Sequence, residues 1–358
     1  MNTYRISVIV FAIALLLPIT SHAISPGESI DFDPSTGDYM INYMGWSEDG
    51  TPRMQHVRFV PATKIEPTVK SSLSLGGDGA INYGYSIANG AKSRQPLILI
   101  MFDLASAIKA SRPLPRTSEE LGHDEKRIHE LSIVGTTALS IPNGWDGEIN
   151  PSNVGGYLVS WSYVNLVTNN DGLQPGQRQK GFGFASLDLP GMGVIELRGN
   201  SPTIGFPDEG PDGEISDQHQ KLLQNDFVTR NAAVPTIAVP SPFDPAVTLE
   251  RIQTQMHTWI GKQLLDATFS AQLDRYFQSA ISAYRLNQPK VGKKEIQTMR
   301  ELLKKEQPDL GRDEEHESDK SQEKNDDRKS ALIDRLAARV LDFDLKYVTK
   351  RMDGDKDD

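Results

Sequence analysis

The chain has 358 residues, no cysteine, and 48 acidic against 38 basic side chains. Without cysteine it has no disulfide, no lipid-bearing thiol and no thiolate-held metal, so ordinary apolar burial must stabilise it. Contact with nucleic acid needs a clustered positive face, and the sequence shows none, so nucleic acid is not an expected partner.

The opening stretch, MNTYRISVIVFAIALLLPITSHA, sets Arg5 before an apolar run from Ile6 to Leu17, a breaker at Pro18, and small residues at Ser21 and Ala23. This layout predicts a secretory signal peptide over 1–23, cut after Ala23. About a dozen apolar residues are too few to span a hydrocarbon core of roughly 30 Å. No later stretch is apolar enough to cross a membrane, so the expected mature chain is periplasmic or secreted, without a transmembrane segment. Its length suits two domains.

From Tyr39 to Leu197 apolar residues alternate with period two, as strands require. In AINYGYSIAN, Ile81, Tyr83, Tyr85 and Ile87 share one face; in GYLVSWSYVN, Tyr157, Val159, Trp161 and Tyr163 do. Further strands are expected at YMINYMGW from 39, MQHVRFV from 54, PLILIMF from 96, LSIVGTTALS from 131, FGFASL from 182 and MGVIELRG from 192. The segments between them, such as NGAKSRQP, PNGWDG and NNDGLQPGQ, carry the Gly, Asn, Asp and Pro of turns. One helical insertion is expected near 104–131, where Thr117 and Glu120 have capping-box spacing.

The order Y-x-Y-x-I-x-N, then SRQPLILIMFDL, PNGW, a strand, and LQPGQRQKGFGFASLDLPG resembles immunoglobulin-like modules of exported bacterial proteins. In such modules a PG-containing turn precedes the strand that closes one sheet. The resemblance covers about Met40 to Asn200 and implies fold alone. The expected fold is therefore α+β: an antiparallel immunoglobulin-like β-sandwich over 24–205, followed by a C-terminal helical hairpin or bundle.

Residues 206–243 are expected to form an acidic turn and a Pro-rich linker. Within FPDEGPDGEISDQH, Asp208, Asp212 and Ser216 fall at ligand positions of a calcium loop, with Gly213 at its sharp turn. Position three is Gly210 and position twelve is His219, so two ligands of that loop are missing. The competing reading is an acidic turn in which Gly213 takes an unusual backbone angle and Ser216 or Asp217 caps a following helix. A second acidic stretch, DFDPSTGD, gathers Asp31, Asp33, Ser35 and Asp38, and is expected to be an ordinary turn leading into the first strand.

After Gln218 the period lengthens. Leu249, Ile252, Met256 and Ile260 form one helical stripe, and Phe269, Leu273, Tyr276, Ala280 and Tyr284 a second. A Pro-Lys-Val-Gly turn at 289 then leads to a third with Ile296, Met299, Leu302 and Leu303, giving a hairpin over 244–305. Residues 306–330 hold too little apolar surface to offset chain ordering and are expected to be a disordered charged loop. A last helix with an acidic tail covers 331–358, with Ile333, Leu336, Val340, Phe343 and Tyr347 folding back onto the hairpin.

Enzyme signatures are missing: there is no G-x-S-x-G, H-E-x-x-H or phosphate loop, and GFGFAS lacks the third glycine of a dinucleotide fingerprint. His123 and His129 lie six residues apart, about 240° around a helix, so they do not share a face. His56 and His257 sit alone. Trp145, in PNGWDG, is the candidate ligand contact, with a plug of the sandwich end as its competing role. The expected function is an exported non-catalytic interaction or structural protein of the bacterial envelope or extracellular space, with a protein or glycan partner. The alternatives are a calcium-stabilised adhesion or glycan-binding protein, and a hydrolase of an extracellular polymer working through two facing carboxylates.

Overall fold

The computed structural model describes residues 26–47, 49–76, 80–104, 136–151, 157–163, 172–200, 206, 210–223, 226–310 and 331–353. The expected signal peptide, the helical insertion beyond Leu104 with His123 and His129, Asp208, and residues 311–330 of the charged loop lie outside them. The chain falls into two compact units, Met1–Pro61 with Ser201–Asn225, and Ala62–Asn200 with Asp226–Asp358.

In the first unit β1 (Ser29–Asp33), β2 (Asp38–Trp46) and β3 (Pro52–Phe59) form an antiparallel sheet in that order. Alternation along β2 turns Ile41 and Tyr43 inward, where Phe59 of β3 and Ile215 of helix α1 (Gly213–Leu223) complete a small core. The sequence assigns the strands at 39 and 54 to the sandwich; in the structure they form this separate sheet. The DPSTG turn joins β1 to β2, where the Asp33 carboxylate accepts from Ser35 N (2.9 Å), Ser35 Oγ (2.6 Å) and Thr36 Oγ1 (2.7 Å). Strand β1 is mostly exposed: Ile30 and Phe32 alternate with polar residues, but Phe32 is 56% exposed.

The second unit is built on an antiparallel sandwich. One sheet runs β4 (Pro67–Leu75), β5 (Ile81–Asn89), β10 (Arg178–Ser186), β7 (Thr136–Ser140). The other runs β12 (Val228–Ile237), β11 (Leu189–Gly199), β6 (Leu97–Asp103), β9 (Tyr157–Tyr163), β8 (Trp145–Pro151). Ile81, Tyr83, Tyr85 and Ile87 all point into the core, as their spacing predicts. Their rings meet the opposite sheet: Tyr85 lies 4.6 Å from Phe102, and Trp161 packs at 76° to Phe182 with centroids 5.9 Å apart.

The expected linker over 206–243 instead contains α1 and β12. In β12 Ala232, Ala233 and Val234 are buried in succession, so the strand shows no alternation, and Pro235 is tolerated because β12 is a sheet edge. Hydrogen bonds to the other sheet hold that edge. Ala233 N donates to Ser71 Oγ (3.1 Å), Tyr85 OH to Ala233 O (2.8 Å), and Arg230 Nε to Pro67 O (2.7 Å).

Four helices follow: α2 (Pro245–Gly261), α3 (Ala267–Arg285), α4 (Pro289–Glu306) and α5 (Arg335–Asp353). Asp244 and Asp266 cap the first two through Val247 N (3.0 Å) and through Thr268 N (2.8 Å) and Phe269 N (3.1 Å). Leu249, Ile252 and Met256 are buried as expected, but Trp259 takes the next inward position and Ile260 is exposed. Pro289 does not make a turn; it starts α4, where its missing N–H is no loss, and the chain reverses at Asn287 with φ 55°. Helix α5 folds back through Asp266 N to Leu332 O and Asp334 N to Leu264 O, both 2.8 Å. Its buried face is broader than the stripe predicts and includes Leu341, Leu345, Val348 and Asp344. Sandwich and helices share one apolar core.

Candidate functional site

The outer face of the four-stranded sheet carries a groove of about 900 Å³. Its floor follows from β-sheet register. While Tyr83 and Tyr85 point into the core, the intervening Asn82, Gly84 and Ser86 point outward. Ser72, Gly84, Gly183 and Ser140 pair in one row across all four strands, so the middle of the face has almost no side-chain height. Close approach keeps it low: a Cβ at Gly183 would lie 2.4 Å from Tyr83 O, and one at Gly84 2.5 Å from Ser72 Oγ.

The neighbouring row is cationic. Lys70 and Lys180 both pair with Ser86, one from each side, and Arg178 pairs with Ala88 one row beyond. A β-bulge between Lys180 and Phe182, with Gly181 at φ 98°, returns the strand to register after Lys180. Ser140 Oγ donates to Gly181 O (2.8 Å) and fixes the bulge to β7. Ser86 Oγ lies buried between the two lysines without a hydrogen-bond partner. Beyond the central row, Ser74 pairs with Asn82, and the turn at Ile141–Gly144 walls the β7 side. Among the described residues no Asp or Glu lines the groove.

Trp145, the candidate ligand contact, is the first residue of β8 and only 3% exposed. Its ring packs edge-on against Phe182 (5.0 Å) and Tyr163 (5.6 Å), which places it in the core rather than as an open stacking face. Of the calcium-loop residues, Asp212 is exposed just before α1 and Ser216 lies one turn inside it, its N donating to Asp212 O (3.4 Å). Gly213 does take a left-handed angle, φ 56°, but the helix starts there, so Ser216 and Asp217 lie inside it and do not cap it. A helix N-terminus favours anions, and Asp212 suits that position as a helix-stabilising carboxylate. Among the described residues no group of three or more His, Asp or Glu is arranged to hold a metal ion.

The acids of DFDPSTGD have separate partners: Asp31 accepts from Asn42, Asp33 closes the hairpin turn, and Asp38 pairs with Arg58. His56 contacts Asn42 Oδ1 (2.6 Å). His257 meets Asp274 (2.7 Å), which Gln253 also holds (2.6 Å), a brace between α2 and α3.

The groove residues were not among the sequence candidates. The outward row Asn82, Gly84, Ser86 is readable from the alternation of β5, but bringing Lys70 and Lys180 to Ser86 requires the pairing of three strands, which no local pattern states.

No family model matches the chain, and no curated protein sequence matches it. A structural comparison finds an uncharacterized protein from Nocardia farcinica, whose crystal structure is described as an immunoglobulin-like fold. It is 13% identical, covers 47% of this chain and 98% of its own, and has a TM-score of 0.22. Among the described residues no helix is long and apolar enough to cross a membrane.

Proposed function

We propose that this protein is an exported, non-catalytic binding module of the bacterial envelope or extracellular space, and that it holds its partner in the groove on the four-stranded sheet. The observation that carries this reading is the central row of Ser72, Gly84, Gly183 and Ser140. It is an open trough on hydrogen-bonded strands, bordered by hydroxyl, amide and ammonium groups. Hydrolysis of a glycosidic bond by the usual route needs two facing carboxylates, whereas among the described residues none lines the groove. Its polar groups suit recognition, with rigid strands lowering the ordering cost of binding.

Ser72 is exposed, with its hydroxyl above Gly84. Ser72→Trp therefore fills the trough without disturbing the core. Capture from a bacterial envelope extract with the wild-type chain should retain a partner that Ser72→Trp loses, at unchanged melting temperature. Equal recovery by the two chains refutes the assignment of the groove.

A further inference from the structure

We propose that the groove takes an anionic polysaccharide, a chain bearing carboxylate or sulfate groups among its hydroxyls; this rests on the reading of the groove as the partner site. The chain as a whole is acidic, with a formal net charge of −10, yet among the described residues its groove is lined by Lys70, Arg178 and Lys180 and by no acid. Such a local reversal of sign favours an anionic ligand in the groove, while the chain's acidic surface repels it elsewhere. Lys180 is exposed and makes no ion pair among the described residues. The hydroxyl of Ser86, between the two lysines, is a donor without an acceptor. A ligand anion at this row would accept from the exposed Lys180 ammonium, a charge-assisted arrangement.

The rest of the floor chooses between macromolecules. Over the rows from Ser86 to Asn82, a span of roughly 14 Å at strand rise, the outward groups are hydroxyls and amides: Ser72, Ser74, Asn82 and Ser140. Each both donates and accepts, as sugar hydroxyls do. A peptide would gain most from an unpaired strand edge, but the floor is a sheet face whose backbone groups are spent within the ladder. No exposed aromatic ring lines the groove for stacking on a neutral sugar, so affinity must come from charge.

Calorimetric titration of the purified protein tests this with polygalacturonate, neutral dextran and poly-L-glutamate. Polygalacturonate should bind and dextran should not, with affinity falling as salt is raised. Lys180→Glu should weaken polygalacturonate by about tenfold or more, Ser72→Trp should abolish binding, and Lys346→Glu, an exposed lysine on α5, should leave it unchanged. Poly-L-glutamate binding as tightly overturns the choice of glycan in favour of an acidic peptide. No polygalacturonate binding, while Ser72→Trp still loses the extract partner, overturns the ligand class and leaves the groove as the site. Binding indifferent to both Lys180→Glu and Ser72→Trp overturns the site itself.

Discussion

Asp344 is the side chain most at odds with its surroundings. It is 1% exposed on the inward face of α5, and neither carboxylate oxygen has a hydrogen-bond partner. Burial holds its carboxyl well above the ordinary carboxylate range. Its neighbours supply no compensating cation: the phenol of Tyr83 is itself pushed up by burial, and further by Asp344, Tyr85 and Asp188. An acid whose pKa is higher folded than unfolded stabilises fully below its unfolded value, roughly 3.9, and loses that contribution as pH rises toward the folded value. Asp344→Asn keeps the shape and removes the ionisation. Its melting temperature should exceed that of the wild type near pH 8, the gap growing by about 1.4 kcal/mol for each pH unit above the unfolded value until the folded one is reached, and the advantage should vanish near pH 4. A constant difference at both pH values would assign the effect to packing.

Among the elements, α3 depends on its amino-terminal cap. Asp266 accepts from two N–H groups of the first turn, while its own N–H ties the start of α5 to the α2–α3 connection. Asp266→Ala removes the two cap bonds and keeps the backbone tie, so it should cost about 1–2 kcal/mol. The urea midpoint should fall with an unchanged m-value. Apolar stripes made the helices legible in the sequence, apart from the choice between Trp259 and Ile260, which depends on the surface α2 meets. Strands β5 and β9 were legible because one face is aromatic or aliphatic and the other small and polar. Strand β4 escaped because its inward Ser71 serves β12 through a hydrogen bond, so a polar residue stands where the pattern asks for an apolar one. Strand β12 escaped because Ala232 to Val234 are all covered, and helix α1 because His219 occupies a core position. The groove was hidden for a different reason: its residues come from four strands whose order in the sheet is not their order in the chain.

On the scale of the whole chain, the two units carry opposite responses to pH. In the first, His219 is buried between Phe59 and Phe206, both edge-on at 5.1 and 5.5 Å, with Nε2 unpartnered. Burial lowers its pKa. A histidine harder to protonate when folded stabilises fully above its unfolded value, roughly 6.5, and loses that contribution as pH falls. The acids of the same unit do not offset this near neutrality: Asp33 is held down to about 2 by the Ser35 and Thr36 hydroxyls, and Asp38 is paired with Arg58. The second unit contains Asp344 and should weaken in the other direction. Lowering the pH from about 8 to about 5 should therefore depress the melting of the first unit and raise that of the second. Scanning calorimetry follows both units in the unaltered chain, since Trp46, the one tryptophan of the first unit, is 62% exposed and a weak reporter of its unfolding. A change of about 1 kcal/mol moves the melting temperature of a domain of 60–100 residues by roughly 4–8 °C, enough to resolve. His219→Leu should flatten the first trend and Asp344→Asn the second, each leaving the other in place. A single transition that shifts one way with pH, unchanged by either substitution, would show that the halves unfold as one and that neither buried group sets the response.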